Sequence, residues 1–214
     1  MTLAPSGTES AANSTPTGSL RALCVFCGAS EGTNPAYMAA AERLGRQLGE
    51  QGITLVFGAG NVGIMGQVAR ATLGAGGSVI GIIPDHLRSV ELPSSEGMTL
   101  HVVADMHTRK RMMFEQCDAI CILPGGLGTL DETFEIITWR QLGLHNKPII
   151  LANIEGYWQG FLDLVDQVID NGFARPGAKE LFTVVDQVEA VIPTAQADLP
   201  DDTDPRAADK THLI

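Results

Sequence analysis

Positive charge is scarce in this chain. Its 214 residues hold 14 lysines and arginines against 25 aspartates and glutamates, a formal net charge of −11. Nucleic-acid surfaces need clustered cations to displace counterions, so this balance argues against a DNA or RNA partner. A small anionic ligand remains compatible, because one cation inside a cleft can dominate the local field. Long apolar runs are also missing. None approaches the ~20 residues that span a bilayer, so no membrane partner is expected. The opening stretch, "MTLAPSGTESAANSTPTG", lacks the basic start and apolar middle of a secretory signal, and the chain reads as cytoplasmic.

Cysteine is sparse too, with four residues spaced as Cys24-x2-Cys27 and Cys117-x3-Cys121. That spacing would admit a zinc site. However, "RALCVFC" reads as a buried strand, in which residues three apart face opposite ways. Buried, reduced thiols are the reading adopted, with no metal and no cofactor expected.

What is present is alternation. Continuous apolar runs at 22–27, 53–58, 78–83, 99–104, 119–123 and 148–153 read as strands covered on both faces, as in parallel sheets. Between them lie helical stretches, "PAYMAAAERLGRQLGEQ", "IMGQVARATLGAG", "MHTRKRMMFEQC" and "TLDETFEIITWRQLG", with "YWQGFLDLVDQVIDNG" after the last. Pro35 suits a first helical turn, and Asp105 suits an N-cap. The fold class is therefore α/β: a single doubly wound, mostly parallel open sheet of Rossmann-like type, with helices on both faces. Residues 20–194 are expected to form the domain. The polar tails 1–19 and 195–214, the second acidic, are expected to be disordered.

Three glycine-bearing loops fall at strand C-termini, where such sheets bind ligands. "GAGNVG" (58–63) matches G-x-G-x-x-G, and Asp85 follows Gly63 by 22 residues, which on paper is a dinucleotide fingerprint. Its place after the second strand suits a single-phosphate contact, or plain close packing, equally well. In "PGGLGTLDE" a helix starting near Thr129 would aim free N–H groups and a positive dipole end into the loop. Gly125, Gly126 and Gly128 would let an anion approach the backbone. Thr129-x-x-Glu132 is also a capping box, under which Glu132 only satisfies backbone donors. On "DMHTRKRMMFEQC", Met106, Met113 and Cys117 mark an apolar stripe. Arg109 lies beside it and needs a partner, whereas Arg111 suits a solvated face. His107 reads as a surface or capping residue, and no lysine has a Schiff-base context.

The segments "GAGNVGIMG", "VIGIIP", "DMHTRK", "LPGGLGTLDETFEIITWRQLGLHNKPI" and "GYW" together resemble the Lonely-guy family, over roughly residues 20 to 190. Its members are cytokinin-riboside 5′-monophosphate phosphoribohydrolases that often carry a lysine-decarboxylase-like label. The resemblance implies an enzyme, a hydrolase that cleaves the N-glycosidic bond of N6-prenylated or plain adenosine 5′-monophosphates to free base and ribose 5-phosphate. It implies catalytic roles for Arg109 and Glu132. It implies nucleotide contacts by Lys110, by Gly126, Leu127, Gly128, Thr129, Leu130 and Asp131, and by Thr138. Glu91 in "SVELP" matches a further substrate-contacting acid. A homodimer is also implied. The usual loop G-G-G-S-V-G-L-M-G is altered here, with Ala59 for a glycine, Asn61 for the serine and Ile64 for the leucine. Two other readings remain: a non-catalytic carrier of nucleotide or molybdenum cofactor on the same fold, and an NAD-dependent oxidoreductase.

Overall fold

The structure, a computed structural model, describes residues 19–88 and 97–200. Seven strands form one sheet: β1 (Ala22–Phe26), β2 (Thr54–Phe57), β3 (Val79–Pro84), β4 (Thr99–Val103), β5 (Ala119–Ile122), β6 (Ile149–Ala152) and β7 (Thr183–Val185). Their order is β4-β3-β2-β1-β5-β6-β7. Every pairing is parallel, so the sheet is all-parallel rather than mostly so. Six of the seven strands coincide with the expected apolar runs, β3 extending one residue beyond its run to Pro84. The seventh was not anticipated: it is three residues long, and only Val185 is buried.

Among the described residues, six α-helices flank the sheet: α1 (Pro35–Glu50), α2 (Gly63–Gly74), α3 (Met106–Glu115), α4 (Leu127–Gln141), α5 (Gln159–Asp170) and α6 (Val191–Ala197). Successive strand residues point to opposite faces. Leu23, Val25 and Cys27 accordingly pack with α1, α2 and α6, while Cys24 and Phe26 pack with α3, α4 and α5. The doubly wound arrangement is thus present, with three helices per face. It also separates the thiols, placing Cys27 and Cys121 in one core and Cys24 and Cys117 in the other.

The helix starts have local causes. Asn34 Oδ1 accepts from Ala36 N at 3.0 Å, with Pro35 in the first turn of α1. Asp105 Oδ1 accepts from Thr108 N at 2.8 Å and fixes the start of α3. At the C-terminal end one boundary shifts: α6 crosses residue 194 and buries Ala195 fully, so the packed unit extends past the expected limit. Residues 1–18 and 201–214, which hold most of both expected tails, lie outside the described residues.

Candidate active site

The chain leaves β1 and β5, neighbours in the sheet, for helices on opposite faces. This is the topological switch point, where a crevice opens between the two following loops. A cleft of about 490 Å³ occupies it. That volume lies in the usual range for small-ligand sites. The loop after β1 and the loop after β5 are joined by Gly28 N donating to Pro124 O at 3.0 Å. A Cβ on Gly28 would lie 3.3 Å from the Cα of Gly125, so the two loops are in close contact here.

"GAGNVG" supports this floor from below. Gly63 has φ +61°, and a Cβ there would lie 2.5 Å from the Ala29 carbonyl oxygen. The first amides of α2 are already engaged: Ile64 N donates to Ser30 O at 3.4 Å, and Met65 N to Gly28 O at 3.1 Å. They are not available for a pyrophosphate, which removes the dinucleotide reading of this loop. Ala59, which replaces a family glycine, keeps the left-handed backbone (φ +65°) and is fully buried.

The start of α4 differs in this respect. Its N-cap is Gly126, without a side-chain cap, and its first helical bond is Leu130 N to Gly126 O at 3.0 Å. Helix geometry leaves the amides of Leu127, Gly128 and Thr129 without intrahelical acceptors, at the positive end of the dipole. Gly126 and Gly128 have negative φ, or none in the left-handed range, and a Cβ on either would meet nothing within 4 Å. The protein's own packing does not require glycine at these two positions. They keep space open in front of free donors, as an anion seat would. Gly125, in contrast, is packed: its Cβ would lie 2.7 Å from Thr129 Cβ and 2.9 Å from Gly28 N. Because α4 begins at Leu127, Thr129 is inside the first turn and the expected capping box is not formed. Glu132 therefore caps nothing and is available to the cleft, which it lines together with Asp131.

Arg109 reaches the cleft from α3. It is buried, with 5% exposure. Its Nη2 donates to Gly58 O at 2.9 Å and its Nε to Ile82 O at 3.2 Å, while Nη1 lies 3.7 Å from Met106 Sδ. Two strand-end carbonyls hold the guanidinium. Among the described residues no carboxylate lies within ion-pair distance of it, so the partner that Arg109 needs is supplied by main-chain carbonyls. A buried cation held only by dipoles retains most of its charge for a ligand. Burial pushes the Glu132 carboxyl up to about 7, against the opposing pull of Arg109 and then Lys110. Glu132 is thus poised near neutrality, as sites of acid–base or electrostatic catalysis require.

Other expected contacts are distributed differently. Lys110 lies outside this cleft, with Nζ 2.6 Å from Asp131 Oδ2 and 3.1 Å from Glu135 Oε2, tying α3 to α4. Burial pulls its ammonium down, but the two carboxylates outweigh this and its pKa is raised. Leu130 turns toward the α3–α4–α5 core. Leu127 is 85% exposed at the cleft-side end of α4. Thr138 is exposed on the outward face of α4, in line with Phe134 and Leu142, and does not reach the cleft. The reason is helix geometry: six residues beyond Glu132 is about 120° round the helix and about 9 Å along its axis. Glu91 lies outside the described residues. His145 is buried, with Nε2 3.0 Å from Ile136 O and Nδ1 accepting from Lys147 N at 3.1 Å, a structural role. Cys27 borders the cleft, but burial and then the Glu132 charge raise its thiol pKa well above the usual range.

Several lining residues escaped the sequence reading. Tyr37 and Tyr157 form one wall, edge to face with centroids 5.3 Å apart. Gly58 makes room for Arg109, and Met65 joins Met106 and Met113 in the apolar lining. The only signal for Tyr157 was its place in "GYW".

Fold and cleft together define a Rossmann-like α/β protein with unengaged helix-start amides, a buried guanidinium and a carboxylate at the switch point. A family model described as "Possible lysine decarboxylase" matches residues 65–195, and the chain belongs to that family, which it shares with the cytokinin riboside 5′-monophosphate phosphoribohydrolases. It is 46% identical over 160 residues to cytokinin riboside 5′-monophosphate phosphoribohydrolase LOG7 of Arabidopsis thaliana, covering 75% of this chain and 74% of the relative. It is 41% identical over 177 residues to the probable cytokinin riboside 5′-monophosphate phosphoribohydrolase LOGL3 of Oryza sativa subsp. japonica, covering 79% and 84% of the two chains. Among solved structures it resembles the molybdenum cofactor binding protein of Rippkaea orientalis, with TM-score 0.62 at 22% identity over 83% of this chain and 96% of the other. The molybdenum cofactor carrier protein of Chlamydomonas reinhardtii gives TM-score 0.62 at 20% identity, over 83% and 97%. These two likenesses are likenesses of fold.

Proposed function

We propose that this protein hydrolyses the N-glycosidic bond of adenosine 5′-monophosphates, N6-prenylated or plain, releasing the free base and ribose 5-phosphate. The observation that carries the reading is the convergence of Glu132 and Arg109 on a cleft bordered by the free amides of α4. The phosphate would sit on the amides of Leu127, Gly128 and Thr129. That places the ribose toward Glu132. Glycosidic cleavage builds positive charge on the sugar, as in other oxocarbenium-like transition states. An ionised Glu132 stabilises that charge and orients water, and Arg109 offsets the negative charge of the bound phosphate. The methionines and the Tyr37–Tyr157 wall supply an apolar surface for the base.

A decarboxylase reading has less support, since Lys110 and Lys179 are ion-paired and Lys147 donates to Phe114 O at 2.6 Å. The fold is shared with cofactor carriers, but a carrier has no need of a carboxylate poised near neutrality. A homodimer is part of the proposal. Exposed Phe134 on α4 and Leu142 just past its end, with exposed Leu164 and Val168 on α5, are apolar side chains that a second copy would cover. Light scattering of the purified protein checks this.

The activity test is incubation with AMP, N6-isopentenyl-AMP and the two matching nucleosides, followed by chromatography for free base. Base release from the monophosphates but not from the nucleosides is expected, because remote phosphate binding is used to position the ribose. Tight nucleotide binding without base release would favour the carrier reading instead.

A further inference from the structure

We infer that Tyr157 is a positioning residue for the phosphate loop: its hydroxyl fixes the Gly125–Gly126 peptide so that the Gly126 N–H faces the anion seat. The inference rests on the proposed phosphate seat and gives a role to a residue to which the family resemblance assigned none. The Tyr157 hydroxyl donates to the Gly125 carbonyl at 2.5 Å, across 32 residues of sequence. A trans peptide is planar, so its C=O and the following N–H point in opposite directions. Holding the Gly125 oxygen on the tyrosine side therefore turns the Gly126 N–H away from it. That N–H donates to no backbone carbonyl among the described residues.

This peptide needs an external hold. It joins two glycines, the residues least restrained in φ and ψ. The Gly126 end meets no side chain within 4 Å of its would-be Cβ. If the peptide rotated, it would present a carbonyl oxygen to the phosphate in place of a donor. Tyr157, in contrast, is well braced. Its ring packs edge to face on Tyr37 at 5.3 Å and on Trp158 at 4.8 Å. Its loop is pinned by Asn153, whose Oδ1 accepts from Trp158 N at 2.7 Å and whose N donates to Val185 O at 2.8 Å. The turn before it runs through Glu155 and Gly156, both at positive φ (52° and 70°). The loop thus holds a rigid aromatic against the cleft and places its one polar atom on the glycine loop.

Tyr157→Phe removes the hydroxyl and keeps the ring. Binding of ribose 5-phosphate and of inorganic phosphate is measured by titration calorimetry on the full chain, which needs no turnover, alongside the melting temperature. The expected result is about five- to tenfold weaker binding of both ligands, the worth of one hydrogen bond. A matching fall in kcat/KM for the 5′-monophosphate and a melting temperature within a few degrees of wild type are expected too. Unchanged phosphate affinity in the variant, with or without a lower melting temperature, overturns the clamp while leaving the phosphate seat intact. Failure of the wild-type protein to bind either ligand overturns the seat, and the clamp with it.

Discussion

Gly58 is the floor beneath Arg109: its carbonyl accepts from Nη2 at 2.9 Å, and a Cβ on it would lie 3.0 Å from the guanidinium carbon and closer still to that nitrogen. The conflict is with the far end of a side chain, and the Gly58 backbone is not left-handed. Gly58→Ala is therefore expected to fold with Arg109 displaced. Activity should drop about 10²–10³-fold, as when one preorganised electrostatic group is lost. Arg109→Ala should match it. Arg111→Ala, which disturbs only a long 4.0 Å surface pair with Glu115, should stay near wild type. Base release under single-turnover conditions checks all three. A near-normal Gly58→Ala would mean that the position of Arg109 is unimportant.

Glu132→Gln should lose activity yet gain stability. The folded carboxyl titrates at about 7, against an ordinary 4.5. A raised value means that the fold favours the protonated form. Stability is fully present below about pH 4.5 and is lost as pH rises through 7. At pH 8 the ionised carboxylate then costs very roughly 3 kcal/mol, at about 1.4 kcal/mol per unit. The amide removes that cost. Melting temperatures should separate at pH 8, with the variant higher by several degrees, and converge near pH 4. A variant that melts lower at pH 8 would mean that Glu132 serves the fold.

The rate itself should climb with pH through about 7, because the ionised carboxylate is the form that stabilises the oxocarbenium. The charged groups facing it are Arg109 and Lys110 on α3, which lower its pKa, and Asp131 and Glu135 on α4, which raise it. Lys110→Met should move the acid limb of kcat/KM to higher pH, and Asp131→Asn should move it lower. A rate that instead falls above pH 7 would make Glu132 a proton donor to the leaving base.

Chelation should leave activity unchanged. The sheet keeps Cys24 and Cys117 on one side and Cys27 and Cys121 on the other, so the four thiols cannot ligate one ion. Assays after dialysis against EDTA check this. Loss of activity restored by zinc or magnesium would point to metal ligands elsewhere.

Much of the fold was legible because five strands, β1, β2, β3, β5 and β6, are largely buried and read as apolar runs, while β4, at the sheet edge with only Val103 buried, still carries enough apolar residues to be read. β7 was hidden by its brevity and by the exposure of Thr183 and Val184. At the site, Glu132 and Arg109 were visible from residue type and helical position. Their settings were not. The capping-box pattern at Thr129 imitates an N-cap that the chain makes three residues earlier, at Gly126, a residue with no side-chain signal. The partners of Arg109 are carbonyls 51 and 27 residues away, and main-chain acceptors carry no mark in a sequence. The dinucleotide pattern was real as a pattern. Its glycines serve packing: Gly58 makes room for Arg109, Gly60 lies against Met65, and Gly63 meets the loop after β1.

The cleft floor is made of main chain, and this divides the site into parts with different freedom to change. Gly63 and Gly125 face another loop's backbone at distances that exclude any side chain, and Gly28 packs closely against the Gly125 backbone. Anion capture is thus built from atoms common to all residues, and mutation can destroy it more easily than retune it. The walls are side chains: Tyr37, Met65, Met106 and Met113 line them, and the unbranched methionines adapt their shape readily. Drift or laboratory selection acting on those walls would alter which base is accepted while the sugar phosphate stays docked. Preference for the base can therefore diverge between close relatives long before the chemistry does.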